Sequence, residues 1–316
     1  MKNDTETLKG LVIKSSRNIL TVRIETEEGR SELECRIKGK VLKGADNLYN
    51  PMAAGDWVIV ERQKDSSSAM ILSVEKRRNL FSRFNQKGDA SQLLAANVDL
   101  ILCLCTAASP PFRPRFLDRV LLQADIAGIE AVIVCNKIDL DHNNPDTEER
   151  LEDFRRIGYK ILKVSAKTGD GLEEFRSEIT GKISVLTGQS GVGKSSLINA
   201  LQPELKIKEG RLNEKYDRGI HTTTMSSMIE LTEGTCIIDT PGVRLFIPDG
   251  IKEEDVVSHL REFAPLAGKC SFGLSCSHRT EPGCKILEAV TAGVIHEDRY
   301  ESFLRIRDDI KGVKNG

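Results

Sequence analysis

Gly188-Gln189-Ser190-Gly191-Val192-Gly193-Lys194-Ser195 fits the pattern G-x-x-x-x-G-K-[ST]. It follows the apolar run 183–187 and opens a helical stretch at 195–201. The loop's composition answers to what it must hold. Glycines let backbone N–H groups wrap phosphate oxygens, and the helix N-terminus adds positive potential. In such a loop Lys194 reaches the β- and γ-phosphates and the Ser195 hydroxyl holds Mg²⁺, with Gln189, Ser190, Gly191, Val192, Gly193 and Ser196 in the same cradle. Strand, loop and helix in this order predict a nucleoside triphosphate as ligand, without choosing the base.

On the N-terminal side of this loop, the runs 98–105 and 131–135 are continuously apolar, with a helical stretch at 116–127 between them. Similar runs recur at 160–164 and 235–238. Continuous apolar runs alternating with helices indicate buried parallel strands, hence a central α/β sheet. Asn136-Lys137-Ile138-Asp139 follows the second run as N-K-x-D. A carboxylate at Asp139 accepts from guanine N1–H and the 2-amino group, which adenine does not offer in that form. Asn136 is expected on the Hoogsteen edge, and the aliphatic stem of Lys137 over the ring. Ser165-Ala166-Lys167 matches the supporting loop, whose backbone N–H meets guanine O6. GTP is therefore expected over ATP.

Asp239-Thr240-Pro241-Gly242 follows the run 235–238 and reads as D-x-x-G. Asp239 is expected to bind Mg²⁺ through water, and the Gly242 N–H to sense the γ-phosphate. Between the two phosphate motifs lies Gly219-Ile220-His221-Thr222-Thr223-Thr224. One of these threonines is expected to complete the Mg²⁺ shell; Thr223 is carried as the candidate, and the sequence does not choose among the three. The position after D-x-x-G, where many GTPases have a water-orienting glutamine, is Val243. Valine cannot orient water, so His221 is the candidate, with Lys194 and Thr223 as the other catalytic residues.

The motif order is itself a signal. Most GTPases run phosphate loop, threonine, D-x-x-G, N-K-x-D, S-A-K; here Asn136 and Ser165 come first and Gly188 follows. The chain is thus circularly permuted, spliced through Thr180-Gly181-Lys182, as close-lying termini allow. Ahead of the sheet, strand-like stretches at 10–14, 19–24, 33–37, 57–62 and 70–74 are separated by turn-rich stretches such as 47–51 and 64–68. Five short strands in so small a span predict a β-barrel, with the OB-fold as the commonest of that size.

Of eight cysteines, Cys35, Cys103, Cys105, Cys135 and Cys236 stand alone or in apolar runs, as small hydrophobes. Cys270, Cys276 and Cys284 instead crowd a polar, Gly-rich loop with His278. The spacing C-x5-C-x-H-x5-C offers three thiolates and an imidazole, enough to close a tetrahedral structural Zn²⁺.

Taken together, NKID at 136–139, SAK at 165–167, GQSGVGKSS at 188–196, HTTT at 221–224, DTPG at 239–242 and the four zinc ligands closely resemble the RsgA/YjeQ family of bacterial small-subunit-dependent GTPases. The resemblance covers nearly the whole chain. It implies an OB-fold at 1–80 that binds RNA, a GTPase core at 81–246 activated by the small ribosomal subunit, and a helical zinc-binding region at 247–316, acting in late subunit maturation near the decoding site. Around Gly219-Ile220-His221 the chain is only similar to the family's loop, so a catalytic role for His221 carries over weakly. Alternatives are a nucleotide-gated rRNA-binding checkpoint factor, or a permuted GTPase directed to the large subunit or tRNA.

Bulk composition agrees with these expectations. Formal charge is −1 from 46 basic and 47 acidic residues, so RNA contact must come from local patches. Residues 1–80 carry 15 Lys/Arg against 12 Asp/Glu, with clusters at Arg36, Lys38, Lys40 and Lys43 and at Lys76, Arg77 and Arg78. No apolar run approaches membrane-helix length and the N-terminus lacks a signal peptide's apolar stretch, so a cytoplasmic protein without a membrane partner is expected. Its partners would be GTP, GDP and the small subunit with its rRNA. Nothing requires a second copy, and a monomer is expected.

Overall fold

A computed structural model describes residues 5–16, 19–39, 47–63, 66–140, 144–207, 226–240 and 245–314. The first six strands are β1 (Thr5–Ser15), β2 (Leu20–Thr26), β3 (Gly29–Ile37), β4 (Leu48–Asn50), β5 (Trp57–Gln63) and β6 (Ser68–Val74). All but β4 close into a five-stranded, OB-like barrel: β1 pairs with both β2 and β5, and a parallel β3–β6 pairing completes the ring. Period-two alternation points Leu20, Val22 and Ile24 inward with Val58, Val60, Cys35 and Ile71.

The stretch 47–51, read as a turn, contains β4. Asn50 is buried: its amide donates to Leu93 O at 2.9 Å and its carbonyl oxygen accepts from Leu93 N at 3.0 Å. A polar side chain that imitates a peptide unit thus overrides local turn propensity. Its partner belongs to a hairpin that the pattern reading also missed, β7 (Leu80–Asn85) and β8 (Ala90–Ala96). The basic run 76–78 is likewise partly structural. Arg77 holds the fully buried Asp56 through bonds of 2.7 and 2.9 Å, and Arg78 pairs with Asp99 at 2.6 Å.

The central sheet comprises β9 (Leu100–Thr106), β10 (Glu130–Asn136), β11 (Lys160–Lys163), β12 (Ile183–Gly188), β13 (Ser226–Thr232) and β14 (Thr235–Asp239), in the order β11-β10-β9-β12-β14-β13. The pairings are parallel except β13–β14. Helices α1 (Pro114–Ala127) and α2 (Pro145–Arg156) pack with one face of the sheet, and α3 (Leu172–Ile179) and α4 (Lys194–Leu201) with the other. The splice Thr180–Lys182 is the tight connection from α3 to β12, with Gly181 at φ 72°. β13 also pairs with β1 through Lys14↔Ser227 and Ser15↔Ser226, so barrel and core share one continuous sheet. Glu230 of β13 reinforces the seam by pairing with Arg23 at 2.5 Å and Arg30 at 3.1 Å.

After residue 245 the chain forms α5 (Val256–His259), α6 (Lys285–Thr291) and α7 (Glu297–Lys314) around Phe263, Ile286 and Phe303. Arg299 of α7 is buried between Asp118 of α1 at 2.7 Å and Glu262 at 2.5 Å. Deleting one member of such a buried set leaves an uncompensated charge and costs about 3–5 kcal/mol. No helix among the described residues is long and apolar enough to cross a membrane.

Candidate functional site

The phosphate loop leaves β12 at Gly188 and enters α4 at Lys194. Two of its glycines are required by geometry. Gly193 has φ 92°, and a Cβ there would meet the Asn136 amide nitrogen at 2.4 Å; at Gly188 a Cβ would lie 2.8 Å from Leu104 O. Lys194 folds back to donate to Gly188 O at 3.1 Å. Burial lowers its pKa, with Asp239 opposing. Asp239, at the end of β14, is 1% exposed, and its Oδ1 has no hydrogen-bond partner among the described residues. Burial raises its carboxyl to about 7 while Lys194 pulls it down. A buried orphan carboxylate oxygen and the Ser195 hydroxyl in the same motif pair are the hard oxygen donors that suit Mg²⁺. Gln189, Gly191 and Ser196 remain partly or fully accessible, while Val192 and Ser195 are buried.

N-K-x-D emerges where β10 ends. Asn136 is 1% exposed. Its amide donates to Val192 O at 2.9 Å, and its carbonyl oxygen accepts from Ala166 N at 3.2 Å. Before any Hoogsteen contact, therefore, Asn136 ties the phosphate loop to the S-A-K loop. Of the S-A-K loop, whose backbone N–H is expected at guanine O6, the Ala166 N–H is engaged by Asn136 here. Lys137, at φ 64°, reaches Ser109 O at 2.8 Å and Gly191 O at 2.7 Å, drawing its stem across the phosphate loop. Ile138 donates from its backbone to Val164 O. Asp139 accepts from the Ser165 hydroxyl at 2.7 Å, and Lys167 Nζ stands 3.9 Å from its other oxygen. Asn136, Lys137, Asp139 and Lys167 face Ser196 and Asn199 of α4 across a cavity of 530 Å³. His221, Thr222, Thr223, Thr224 and Gly242 lie outside the described residues.

The third site sits between α5 and α7. Cys270, Cys276, His278 and Cys284 are all buried, and one ligand atom from each lies within 4.8 Å of the others. Cys270 Sγ is 3.8 Å from Cys284 Sγ and 3.6 Å from His278 Nδ1, which is 3.4 Å from Cys284 Sγ. Thiolates about 2.3 Å from a central tetrahedral ion stand roughly 3.8 Å apart, so the cluster fits a metal. Burial lowers the His278 pKa and keeps the imidazole in its neutral, ligating form. Around it, Lys285 N donates to Cys270 Sγ, Tyr300 Oη donates to His278 O, and Arg307 donates to Ser277 O. Helix α7 thereby holds the ligand loop in place.

Sequence reasoning missed the anchoring of the chain just beyond D-x-x-G. Arg83 of β7 donates to Leu245 O and Arg119 of α1 to Phe246 O, while the Asp249 carboxylate accepts from Ser82 and Ser91. Arg119 also pairs with Asp309 of α7 at 2.5 Å. These are partnerships across 127 to 190 residues of chain, and no local pattern marks them.

Comparison with known proteins identifies the combination. The RsgA GTPase family profile matches residues 74–247. The small ribosomal subunit biogenesis GTPase RsgA of Phocaeicola vulgatus is 37% identical over 96% of this chain and 97% of its own length. Its counterpart in Porphyromonas gingivalis is 38% identical over 96% and 97%. Among solved structures, YjeQ from Thermotoga maritima superposes with a TM-score of 0.72 at 32% identity, covering 97% of this chain and 99% of that one. YloQ, described as a circularly permuted GTPase, gives 0.66 at 26% identity, covering 99% and 98%. With its permuted order of motifs, barrel and Cys₃His cluster, this chain belongs to the RsgA GTPase family.

Proposed function

We propose that the chain hydrolyses GTP to GDP and phosphate on the small ribosomal subunit and assists the subunit's late maturation. The observation that carries this reading is the bracing of Asn136 against both Val192 and Ala166. That single side chain holds a base-reading carboxylate, Asp139, at a fixed place relative to a phosphate cradle. Asp139 would accept from guanine N1–H and the 2-amino group, Lys194 would neutralise the β- and γ-phosphates, and Ser195, Asp239 and Thr223 would hold Mg²⁺. Phosphoryl transfer depends mainly on positioning and electrostatics. With Val243 in the usual glutamine position, His221 would orient the attacking water, and unassisted turnover would be slow. Should His221→Ala leave single-turnover hydrolysis unchanged at saturating GTP, that assignment is lost.

In this reading residues 1–80 contact RNA, 81–246 bind and hydrolyse nucleotide, and 247–316 are closed by a structural Zn²⁺. The relatives' names supply the subunit as partner. Arg36 and Lys38 on the barrel, and Trp57 at 39% exposure with Lys9 over its ring, suit phosphate contact and base stacking. Lys40 and Lys43 lie outside the described residues. Co-sedimentation with purified small and large subunits tests the proposal. Binding to the small subunit with a non-hydrolysable GTP analogue, release with GDP, and subunit-stimulated turnover are expected. Docking indifferent to nucleotide would mark a plain RNA-binding protein, and co-sedimentation with the large subunit would redirect the assignment.

A further inference from the structure

A second cavity, of 420 Å³, lies where four parts of the chain meet: Gln189 of the phosphate loop, the start of α1, Leu245 and Phe246 just beyond D-x-x-G, and Asp298 of α7. Its volume is within the roughly 300–1,000 Å³ of sites that enclose a small ligand group. Phe112 is half-buried in its lining and Leu245 is 46% exposed, while the Phe246 ring is fully buried behind them against Phe81. At its rim Arg113 is exposed, and its guanidinium has no hydrogen-bond or ion-pair partner among the described residues. The other arginines there are committed, Arg115 to Asp298 at 2.9 Å and Arg119 to Asp309 at 2.5 Å.

We propose that this cavity receives one unstacked nucleotide of single-stranded RNA, its base against Phe112 and its phosphate on Arg113, and that this contact is how bound RNA stimulates hydrolysis. The proposal rests on the functional reading above and names the trigger within it. Two observations favour RNA. The partly accessible Phe112 ring beside an arginine with no partner among the described residues suits a base with its attached phosphate, the pairing used where single-stranded bases are splayed onto protein. Gln189, partly accessible, offers an amide that can both donate to and accept from a base edge, which presents both donors and acceptors. Position supplies the consequence. One wall is the second residue of the phosphate loop and another is the exit from D-x-x-G, so an inserted base restrains both segments that touch the γ-phosphate. A group that only tightened docking elsewhere would leave those segments alone.

The test uses the full chain with purified small subunits, comparing wild type with Arg113→Glu, Arg113→Lys and Phe112→Ala. The Arg113 side chain makes no intramolecular pair among the described residues, so Arg113→Glu is expected to fold, bind GDP and hydrolyse GTP alone as wild type does. Subunit-stimulated turnover at saturating subunit should fall about tenfold in Arg113→Glu and Phe112→Ala, the scale of one lost base stack, with Arg113→Lys largely retained. Stimulation of Arg113→Glu equal to wild type overturns the inference and leaves the functional reading standing. A wild type that subunits do not stimulate overturns both. In parallel, Phe112→p-benzoylphenylalanine is irradiated in the subunit complex. A ribonuclease-sensitive adduct supports the proposal; an adduct with a ribosomal protein assigns the cavity to a peptide and overturns the RNA assignment.

Discussion

The carboxamide of Asn136 donates to the carbonyl of Val192 at 2.9 Å across 56 residues of chain. Its other end accepts from Ala166, so three loops that leave three strand ends share one buried side chain. Asn136→Ala would leave the Val192 carbonyl and the Ala166 N–H without this partner. Each unsatisfied buried group costs about 1–3 kcal/mol, so a fall in the nucleotide-free melting temperature is expected together with loss of GDP binding. Thermal unfolding and titration with a fluorescent GDP analogue check both. A variant that keeps its stability and loses only affinity would mean that Asn136 is purely a base contact.

Asp139 holds the Ser165 hydroxyl with one oxygen and leaves the other toward the cavity beside Lys167. A carboxylate pairs with the two adjacent donors of guanine, whereas an amide can donate to the C2 carbonyl of xanthine. Asp139→Asn is therefore expected to weaken GTP and strengthen XTP, reversing preference by about 100-fold or more, as sites that read polar groups directly do. Competition between the two nucleotides measures this. Unaltered preference would remove Asp139 from base reading.

Burial raises the Asp239 carboxyl to about 7, with Lys194 opposing. An acid whose folded pKa is raised holds its proton more tightly folded than unfolded. Between about pH 4 and 7, this group therefore makes the nucleotide-free chain less stable as pH rises. With Asp239 in its proposed role at Mg²⁺, binding of metal and nucleotide needs the carboxylate, so it should release a proton at about pH 6 and tighten as pH rises toward neutrality. Calorimetry in two buffers of different ionisation enthalpy reads the proton directly. Equal heats, or release that persists in Asp239→Asn, would contradict it.

Metal removal should act on stability before activity. The Cys₃His cluster is buried beneath Phe303 and tied by Tyr300 and Arg307 to α7. Denaturing the protein with a zinc indicator present should release one Zn²⁺ per chain, and chelation should unfold the region around α6 and α7 first. Hydrogen exchange localises the loss. Retention of full protection after complete metal removal would count against a structural ion.

The nucleotide motifs were legible because each is short and local. Gly188–Ser195, Asn136–Asp139 and Asp239–Gly242 are patterns in which backbone conformation and ligand chemistry dictate neighbouring residues. The apolar runs that became β9, β10, β12 and β14 were legible because burial on both faces leaves no alternation to blur them. β4 and the β7–β8 hairpin were not, since Asn50 reads as a turn residue until Leu93 is beside it. The run 76–78 reads as a basic patch until Asp56 consumes Arg77.

What the chain order alone supplied was a list of motifs and their permuted sequence: a phosphate-loop pattern, an N-K-x-D pattern expected to read guanine, and a Cys₃His spacing that fits a metal. Folding decided which parts touch. Asn136 becomes a brace only when β10 and β12 flank β9, and the cavity beside Gln189 exists only because α1, α7 and residues 245–246 converge on it. The difference is one of range: backbone geometry and ligand chemistry act over a few residues, whereas burial and hydrogen bonding join groups more than a hundred residues apart.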